Sequence, residues 1–268
     1  MGNRGDVSVR TSILSRLSLG PIWRLAHESI DVDTPTGIRT DCVTRPDEAK
    51  PQERDRASEI SLRADLASNR EALPVQQWGW GDLNRLVAEC SRCGLASHRT
   101  QAVLGVGDQQ ADWLFVGEGP GAEEDLRGEP FVGQAGKLLD AMLASLGIAR
   151  GNRVYIANAV KCRPPNNRTP EPDEIEACFP YLQRQIELIQ PRVIVALGRP
   201  AAQALLKQEV RIGAARGQVF RFGETPVVVT YHPAYLLRNP ADKGKAWADL
   251  CFAKKTLESS PPKAVVAG

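Results

Sequence analysis

Two residues whose side chains can hold or move a proton directly follow apolar stretches of the chain. Glu118 lies in a Gly-Glu-Gly-Pro-Gly turn just after residues 112–116, and His232 lies just after residues 227–231 and before Pro233. A carboxylate so placed can position a water molecule against an electrophilic carbon, and an imidazole can stabilise negative charge on a leaving group. A structural histidine is the alternative for His232. A solvated acidic loop is the alternative for Glu123, Asp125 and Glu129, from which Glu118 differs because it sits inside the tight turn. The pattern alone therefore predicts hydrolysis but names no substrate.

The glycine-rich turn is poorly suited to cradle a phosphate. Its opening matches the loose dinucleotide fingerprint, but Pro120 interrupts it and no acidic residue closes a second strand at the right distance. Gly136-Lys137 also lacks the following Ser or Thr with which a Walker loop holds magnesium. A nucleotide-binding protein is therefore the weakest of the functional interpretations.

The spacing of the cysteines indicates a metal centre. Four of the six cysteines would form it, two of them in a Cys-Ser-Arg-Cys pair: Cys90, Cys93, Cys162 and Cys178. In a reducing compartment such thiols serve as metal ligands more often than they form disulfides. Four thiolates suit both an iron–sulfur cluster and tetrahedral zinc, and the spacing leaves both open. The remaining two, which we expect to be unrelated thiols, are Cys42 and Cys251.

Side chains that suit contacts with DNA occur in two places. The loop around Cys162 is rich in cations and amides, which bind phosphates: Lys161, Arg163, Asn166, Asn167 and Arg168. Further on, Leu236 and Leu237 precede Arg238, and an apolar wedge beside a cation suits insertion into a duplex. A polar surface loop and the start of a buried helix are the structural alternatives. The formal net charge of +2 is too small to indicate nucleic acid by itself.

The elements that must position these residues alternate between strand and helix. Apolar runs predict buried strands, and amphipathic stretches that end at Gly147 or before Pro191 predict helices between them. The predicted strands are 112–116, 154–160, 193–197 and 227–231, and the predicted helices are 133–146, 173–189, 200–206 and 241–257. This alternation is typical of a doubly wound sheet, which binds ligands at the carboxyl ends of its strands.

Composition divides the chain into three parts. Residues 1–75 contain one aromatic residue, Trp23, and are rich in Arg, Asp, Ser and Pro. We expect a mostly disordered extension there, with short helical pieces near 13–30 and 59–73. The expected parts are thus the extension 1–75, the folded domain 76–258 and a flexible tail 259–268.

The overall composition is that of a globular protein in water. Charged residues make up 25% of the 268 residues and hydrophobic residues 42%. Apolar runs fall well short of the ~20 residues of a membrane span, and a signal-peptide core of ordinary purity is missing. We therefore expect a soluble, cytoplasmic protein without a membrane partner.

Taken together, these motifs resemble the family 4 uracil-DNA glycosylases, the iron–sulfur branch of the uracil-DNA glycosylase superfamily. The resemblance extends from about Leu83 to Leu257 and includes Pro-Phe-Val-Gly, Asn-x-x-Lys-Cys-Arg-Pro-Pro and His-Pro-Ala-Tyr-Leu-Leu-Arg in the family's order. It implies an α/β fold, a three-layer α/β/α sandwich with a central, mainly parallel four-stranded sheet. It also implies removal of uracil from single- or double-stranded DNA in base excision repair, by a monomer.

The resemblance also assigns residues to roles. It implies a [4Fe-4S] cluster, regarded in this family as structural, on Cys90, Cys93, Cys162 and Cys178. Phe131 would stack on a flipped uracil, Asn158 would read its N3 and O4 edge, and Gly119 would lend backbone contacts. His232 would bond O2 of the departing base, and Glu118, with Glu124 as a second candidate, would orient the attacking water. The segment Leu236-Leu237-Arg238 would enter the gap left in the duplex. Apart from the resemblance, the residue types of the loop after Cys162 predict that Arg163, Asn167 and Arg168 contact the DNA backbone.

Two features of the motifs narrow the expected reaction. Relatives that become covalently trapped on uracil-DNA carry an inserted Lys-Arg-Arg-Ile-His segment, which is missing after Cys162. No lysine occupies a matched catalytic position, so we expect hydrolysis to an abasic site without a lyase step. A DNA-binding module that keeps the fold but performs no reaction is the alternative from another class.

Overall fold

A computed structural model describes residues 74–263. Nearly all of the expected extension at 1–75, with its two helical pieces and Cys42, lies outside the described residues. Within the described part, secondary structure begins with a 3-10 turn at Val75–Gln77 and ends with a helix that reaches Ser259.

A six-stranded sheet forms the centre of the described part. Its strands are β1 Val106–Gly107, β2 Trp113–Gly117, β3 Val154–Asn158, β4 Val193–Leu197, β5 Val219–Phe222 and β6 Thr225–Thr230. The strand order is β1-β3-β2-β4-β6-β5. The four inner strands are parallel to one another, whereas β1 and β5 pair antiparallel at the two edges.

Within residues 74–263, eight α-helices surround this sheet. They are α1 Trp80–Ala88, α2 Ala122–Arg127, α3 Gln134–Ser145, α4 Pro172–Ile189, α5 Arg199–Leu206, α6 Ile212–Ala215, α7 Pro233–Arg238 and α8 Lys243–Ser259. Further 3-10 turns lie at Gly94–Ser97, Pro165–Asn167 and Pro240–Asp242.

The alternation of side chains along the strands places the buried residues in two clusters, one on each face of the sheet. On β2, Leu114 packs in one buried cluster with Ile186 of α4 and Leu205 of α5. Phe115, the next residue along, packs in a second cluster that contains side chains of α3 and α8. Because successive side chains of a strand point to opposite faces, helices cover both sides of the sheet. The fold is thus the expected three-layer α/β/α sandwich.

Local signals explain where the long helix α4 begins and ends. Pro172 occupies its first position, where the missing N–H costs no hydrogen bond. The Glu174 carboxylate accepts a hydrogen bond from the Glu171 backbone N–H at 2.8 Å, which satisfies one of the free donors of the first turn. The helix ends at Gln190, whose φ of 49° is left-handed, just before Pro191.

A third, smaller core holds the cysteines. Trp78 and Leu83, at the start of the folded part, pack with Val160, Cys162 and Cys178. The ring of Trp78 stacks on Tyr181 of α4 at 5.8 Å between centroids. This cluster fastens the segment before the first strand to the end of β3 and to α4.

The strand predictions are confirmed for the four parallel strands, and the expected count of four is wrong for the sheet as a whole. The sheet gains β1 and β5 at its edges. These strands have two and four residues, and the burial of β5 alternates between exposed and intermediate. Short edge strands carry no buried apolar run, so the pattern that revealed the inner strands is absent from them.

The carboxyl end of the described chain is held against the body. Lys263 Nζ donates to the carbonyls of Gln110, Ala111 and Ile189 at 2.7–2.8 Å. Arg192 Nη2 donates to the Ser260 carbonyl at 2.6 Å. These hydrogen bonds involve residues 260 and 263 of the expected tail at 259–268, and the residues after 263 lie outside the described part. No helix within 74–263 combines the length and the apolar character needed to cross a bilayer.

We expect Leu139→Ala to lower the free energy of unfolding by about 2–5 kcal/mol, because it opens a cavity between α3 and the sheet. Leu139 is 0% exposed, whereas Leu126 on α2 is 68% exposed. The matched control Leu126→Ala removes the same atoms and should change this free energy by less than about 0.5 kcal/mol. Urea unfolding followed by circular dichroism measures both variants. Equal losses would contradict the inward orientation of α3.

Candidate active site

A cleft of ≈ 780 Å³ opens at the carboxyl ends of the parallel strands. We call it the strand-end cleft. Glu118 enters it after β2, Asn158 from the end of β3, and His232 after β6, while Phe131 comes from the loop between α2 and α3. The structure therefore brings together four predicted site residues that are far apart in sequence.

Glu118 is one of two acidic residues that line the strand-end cleft, the other being Glu124. Burial raises the pKa of its carboxyl above the usual range. A hydrogen bond from the Thr169 side chain and the charge of Arg199 act in the opposite direction and lower that pKa. The carboxylate is thus partly dehydrated yet held by a donor and a cation, as suits a group that must accept a proton from water.

His232 is held neutral in this cleft. Burial and, to a smaller extent, the nearby charge of Arg238 lower the pKa of its imidazole to about 4, whereas Glu124 opposes the shift. Its Nδ1 accepts a hydrogen bond from the Ala234 backbone N–H at 3.2 Å. Because Nδ1 is the acceptor, the proton of the neutral ring resides on Nε2. The side chain is therefore a hydrogen-bond donor without a positive charge.

Asn158 offers a buried acceptor with no protein partner. Its side chain is 2% exposed, and its Oδ1 makes no hydrogen bond within residues 74–263. A Cβ on Gly117 would lie 2.5 Å from this oxygen and 2.6 Å from the Phe131 ring. Glycine at 117 thus leaves room for both groups. A buried polar atom without a partner costs free energy unless a ligand satisfies it.

Phe131 supplies an aromatic face beside the imidazole. Its ring lies 5.5 Å from that of His232, between centroids, with the planes 30° apart. Its backbone φ is 57°, a left-handed value that residues other than glycine rarely adopt. Such conformations cost on the order of 1–3 kcal/mol and persist only where the surroundings enforce them.

Glu124 uses both carboxylate oxygens on backbone N–H groups. Oε2 accepts from Gly121 at 3.1 Å, and Oε1 accepts from Val132 at 3.0 Å and from Gly133 at 3.1 Å. The side chain therefore ties the glycine-rich turn to the loop that carries Phe131. This arrangement differs from the expected water-orienting position, because the oxygens are already engaged.

The predicted duplex wedge is only partly available. Leu236 is 1% exposed and points into the space between α3 and α8, so its side chain is covered in this conformation of α7. Its expected contact with DNA stays a prediction. Leu237 is 43% exposed, and Arg238 lies beside it at the surface. A helix of six residues presents neighbouring positions to different sides, which the sequence pattern did not resolve.

The predicted phosphate-binding side chains are engaged with protein groups. Arg168 forms two hydrogen bonds with the Glu174 carboxylate at 2.7 and 2.9 Å. Arg163 Nε donates to Asn167 Oδ1 at 2.8 Å. Arg163 and Asn167 therefore hold one another on the rim near the cleft, while Arg168 braces the start of α4.

Sequence reasoning missed Thr169 and Arg199. Both line the strand-end cleft and interact with Glu118. Arg199 comes two residues after the end of β4, so the rule that ligands gather at the carboxyl ends of strands could have identified it. Thr169 has no such signal, because it lies in an irregular loop eleven residues beyond the end of β3.

The four predicted cysteine ligands line one small cavity together. Arg99 Nη1 donates to Cys162 Sγ at 2.9 Å, and the Lys161 backbone N–H donates to Cys178 Sγ at 3.2 Å. Hydrogen bonds to sulfur are typical of metal-bound thiolates. As the side chains stand, no three His, Cys, Asp or Glu groups of residues 74–263 are arranged to hold a metal ion. The thiols and their donors nevertheless fit an iron–sulfur cluster.

Lys161 is a fully buried cation between the cysteines and β3. Its Nζ donates to the Asn158 carbonyl at 2.9 Å and to Gln185 Oε1 at 2.6 Å. Burial lowers the pKa of Lys161 to about 8, and the nearby Cys178 and Cys162 sulfurs oppose that shift. The side chain thus connects the cysteine cavity with the strand that carries Asn158.

Comparison with known proteins places these features in a family. A family model described as the uracil DNA glycosylase superfamily matches residues 104–251. A type-4 uracil-DNA glycosylase of Archaeoglobus fulgidus is 49% identical over 167 residues, which cover 59% of this chain and 83% of the relative. A type-4 enzyme of Pyrobaculum aerophilum is 44% identical over 178 residues, which cover 63% of this chain and 90% of the relative.

A different branch matches more weakly. A type-5 uracil-DNA glycosylase of Pyrobaculum aerophilum is 33% identical over 192 residues, which cover 59% of this chain and 84% of the relative. The family match and the higher identities agree with the cleft, its four convergent side chains and the cysteine cavity. The chain therefore belongs to the uracil DNA glycosylase superfamily, and within it to the type-4 uracil-DNA glycosylases.

Proposed function

We propose that this chain excises uracil from DNA by hydrolysing the bond between base and sugar, and so leaves an abasic site for base excision repair. One observation carries the proposal. An acid, a neutral imidazole, an unpartnered amide oxygen and an aromatic ring line the same strand-end cleft. These are the groups that a base and its attacking water require.

The base must leave the duplex to reach the cleft. Enzymes that act on a base extrude it into a pocket, at a cost of a few kcal/mol that is smallest for mispaired bases. In this proposal the Phe131 ring stacks on the extruded uracil and recovers part of that cost. The backbone of Gly119 borders the same space, where a Cβ would lie 2.8 Å from Val160 Cγ2.

Asn158 distinguishes uracil from cytosine. Uracil carries a donor at N3, which can bond the unpartnered Asn158 Oδ1, whereas N3 of cytosine is an acceptor. Two acceptors facing each other in a dry site leave buried groups unsatisfied, at about 1–3 kcal/mol each. A site built to bond a polar edge rejects analogues that cannot bond back.

His232 and Glu118 act on opposite ends of the breaking bond. The glycosidic bond breaks with its electron pair going to the base, and the sugar gains oxocarbenium character. The neutral His232 donates Nε2–H toward O2 of the departing base, where negative charge accumulates. The Glu118 carboxylate orients water toward the sugar carbon and takes its proton as the new bond to oxygen forms.

Glu124 has a positioning part in this scheme. Its three backbone hydrogen bonds hold the Glu118 turn against the Phe131 loop. We assign the water-orienting role to Glu118 alone, because Glu118 lines the cleft while both oxygens of Glu124 accept hydrogen bonds from backbone N–H groups.

The four cysteines would hold a [4Fe-4S] cluster. When bound, such a cluster supplies cross-links between loops rather than a step of the hydrolysis. The residues that support this assignment are the four thiols around one cavity and the donors Arg99 and Lys161. Clusters on reduced thiols suit a cytoplasmic protein, and cysteines 90, 93, 162, 178 and 251 are all unpaired.

DNA would approach the rim of the strand-end cleft as a partner of a monomeric enzyme. Leu237 and Arg238 are exposed on α7, next to His232, and are placed to fill the gap left by the extruded base. Asn167 lines the cleft, and its partner Arg163 offers further donors to backbone phosphates. Both single-stranded and double-stranded DNA are compatible with this rim.

Purified protein should release uracil from a uracil-containing oligonucleotide, with strand breaks at uracil alone after alkali treatment. We expect His232→Ala to lower the cleavage rate by about 10²–10³-fold, because it removes a donor to the developing anion. DNA affinity, measured by fluorescence anisotropy, should change little. Equal losses of cleavage and binding would favour a DNA-binding module without a reaction.

The pH dependence should identify Glu118 as the group behind the acid limb. Its pKa is raised by burial, so the active carboxylate is lost as pH falls through that raised value. His232 stays neutral there, because its pKa is about 4. Thr169→Val removes a hydrogen bond that lowers the Glu118 pKa and should shift the limb of kcat/KM to higher pH. A limb that persists in Glu118→Gln would contradict this assignment.

Cluster binding should depend on the cavity cysteines. We expect anaerobically purified protein to be brown, with about four iron and four sulfide per chain. Cys178→Ser should lose both iron and visible absorbance, because it removes one ligand. Cys251 lies on α8, away from the cavity, and the control variant Cys251→Ser should keep the wild-type iron content. A colourless wild-type preparation that contains zinc would overturn the iron–sulfur assignment.

A further inference from the structure

We propose that Arg150 is a positioning residue, which fixes the orientation of Phe131 and thereby the rate of base excision. The inference rests on the proposed function and extends it to a side chain outside the strand-end cleft. Arg150 lies in the turn between α3 and β3, and its side chain is 22% exposed.

The Phe131 loop needs outside support. The φ of Phe131 is 57°, and its ring is 5% exposed against His232. Its backbone also lies directly on α3, where a Cβ at Gly136 would approach the Phe131 carbonyl oxygen to 1.8 Å. Strained residues persist at functional sites where their surroundings leave no other conformation.

Arg150 holds the acceptor side of this loop. Its Nη1 donates to the Pro130 carbonyl at 2.7 Å, and its Nη2 donates to the Phe131 carbonyl at 2.8 Å. On the donor side, Glu124 accepts from the N–H groups of Val132 and Gly133. Four successive residues are therefore gripped by a cation and an anion, through charge-assisted hydrogen bonds that a peptide rotation would break.

Asp140 fixes the guanidinium in turn. Its Oδ1 accepts from Arg150 Nε at 3.2 Å and from Nη2 at 3.0 Å. Asp140 lies on α3. The same helix contains Gly136, where it packs closely against the Phe131 backbone. The Asp140 carboxylate thus holds the Arg150 guanidinium on α3, and the guanidinium in turn holds the Phe131 loop.

The consequence for the reaction is preorganisation. The Phe131 face is set when the chain folds, so the extruded base meets an ordered surface and loses less binding free energy to ordering. Misplacement of a binding group by about 1 Å can cost ~10²-fold in rate. Removing Arg150 should therefore impair excision without changing contacts with the rest of the DNA.

A double-mutant cycle tests this coupling. We expect Arg150→Met to lower the single-turnover rate constant at saturating enzyme by about 10-fold or more, and by less than about 2-fold in a Phe131→Ala background. Arg150→Lys, which cannot bond both carbonyls in the same fork, should give an intermediate loss. Affinity for DNA without uracil should stay at the wild-type value in all variants.

A matched control separates this effect from the loss of any arginine. Arg221 Nη1 donates to a single backbone carbonyl, that of Glu224, at 2.9 Å. It lies on β5 opposite Pro226, at the amino end of β6 and so at the far end of the sheet. Arg221→Met should leave the rate constant unchanged.

Three outcomes would overturn the inference or its basis. Equal fold losses from Arg150→Met with and without Phe131 would show that Arg150 acts through general stability, and an unchanged rate would remove its role. Where Arg150→Met does not fold, Arg150→Lys and Asp140→Asn carry the same cycle. Wild-type protein that releases no uracil would refute the proposed function and this inference together, whereas active wild-type with an additive cycle refutes only the inference.

Discussion

The register of the central strands is the constraint on which the rest of the site depends. β2 pairs with β3 so that Gly117 lies beside Asn158, and β4 pairs with β6 so that Leu197 lies beside Thr230. Glu118 follows the end of β2 directly, and His232 comes two residues after the end of β6. A slip of one residue would turn Asn158 to the other face of the sheet and separate the acid from the amide. The pairing is enforced by fully buried apolar runs, which cannot move without exposing one face of the core.

Burial of this strand-end site then sets the charge states that the reaction needs. The same dry environment raises the pKa of Glu118 and lowers that of His232. It leaves one group ready to take a proton and the other a neutral donor. Around them, the charged side chains of Glu124 and Arg150 form hydrogen bonds with backbone groups of the loops rather than with substrate. Charged residues near a cleft can thus hold its loops in position as well as take part in the reaction.

Much of this arrangement could be predicted from the sequence, because strand ends are readable. Val193–Leu197 was predicted to the residue, and the predicted segments before Glu118 and His232 differ from β2 and β6 by one or two residues at each end. Buried apolar runs have a strong pattern, whereas β1 and β5 have none. The family resemblance supplied the roles of Phe131 and Asn158, which periodicity cannot assign.

Other features depended on backbone geometry that no local pattern contains. Leu236 and Leu237 are adjacent and chemically alike, and only the packing of α7 decides which of them is buried. The sequence pattern predicts a phosphate contact for Arg168, but the fold of its loop places the side chain against Glu174. Arg150 is 19 residues from Phe131, and its contact needs the close approach that Gly136 allows. Glu124 was the exception, since an acid three residues into α2 is a recognisable capping position.

The central claim is that one extruded uracil contacts Phe131, Asn158 and His232 at once, with Glu118 facing its sugar. A crystal structure of the Glu118→Gln variant bound to uracil-containing DNA would test it most directly. We predict the base in the strand-end cleft, stacked on Phe131, with N3 within hydrogen-bond distance of Asn158 Oδ1 and O2 near His232 Nε2. A uracil that remains paired in the duplex, or that lies elsewhere on the protein, would contradict the account.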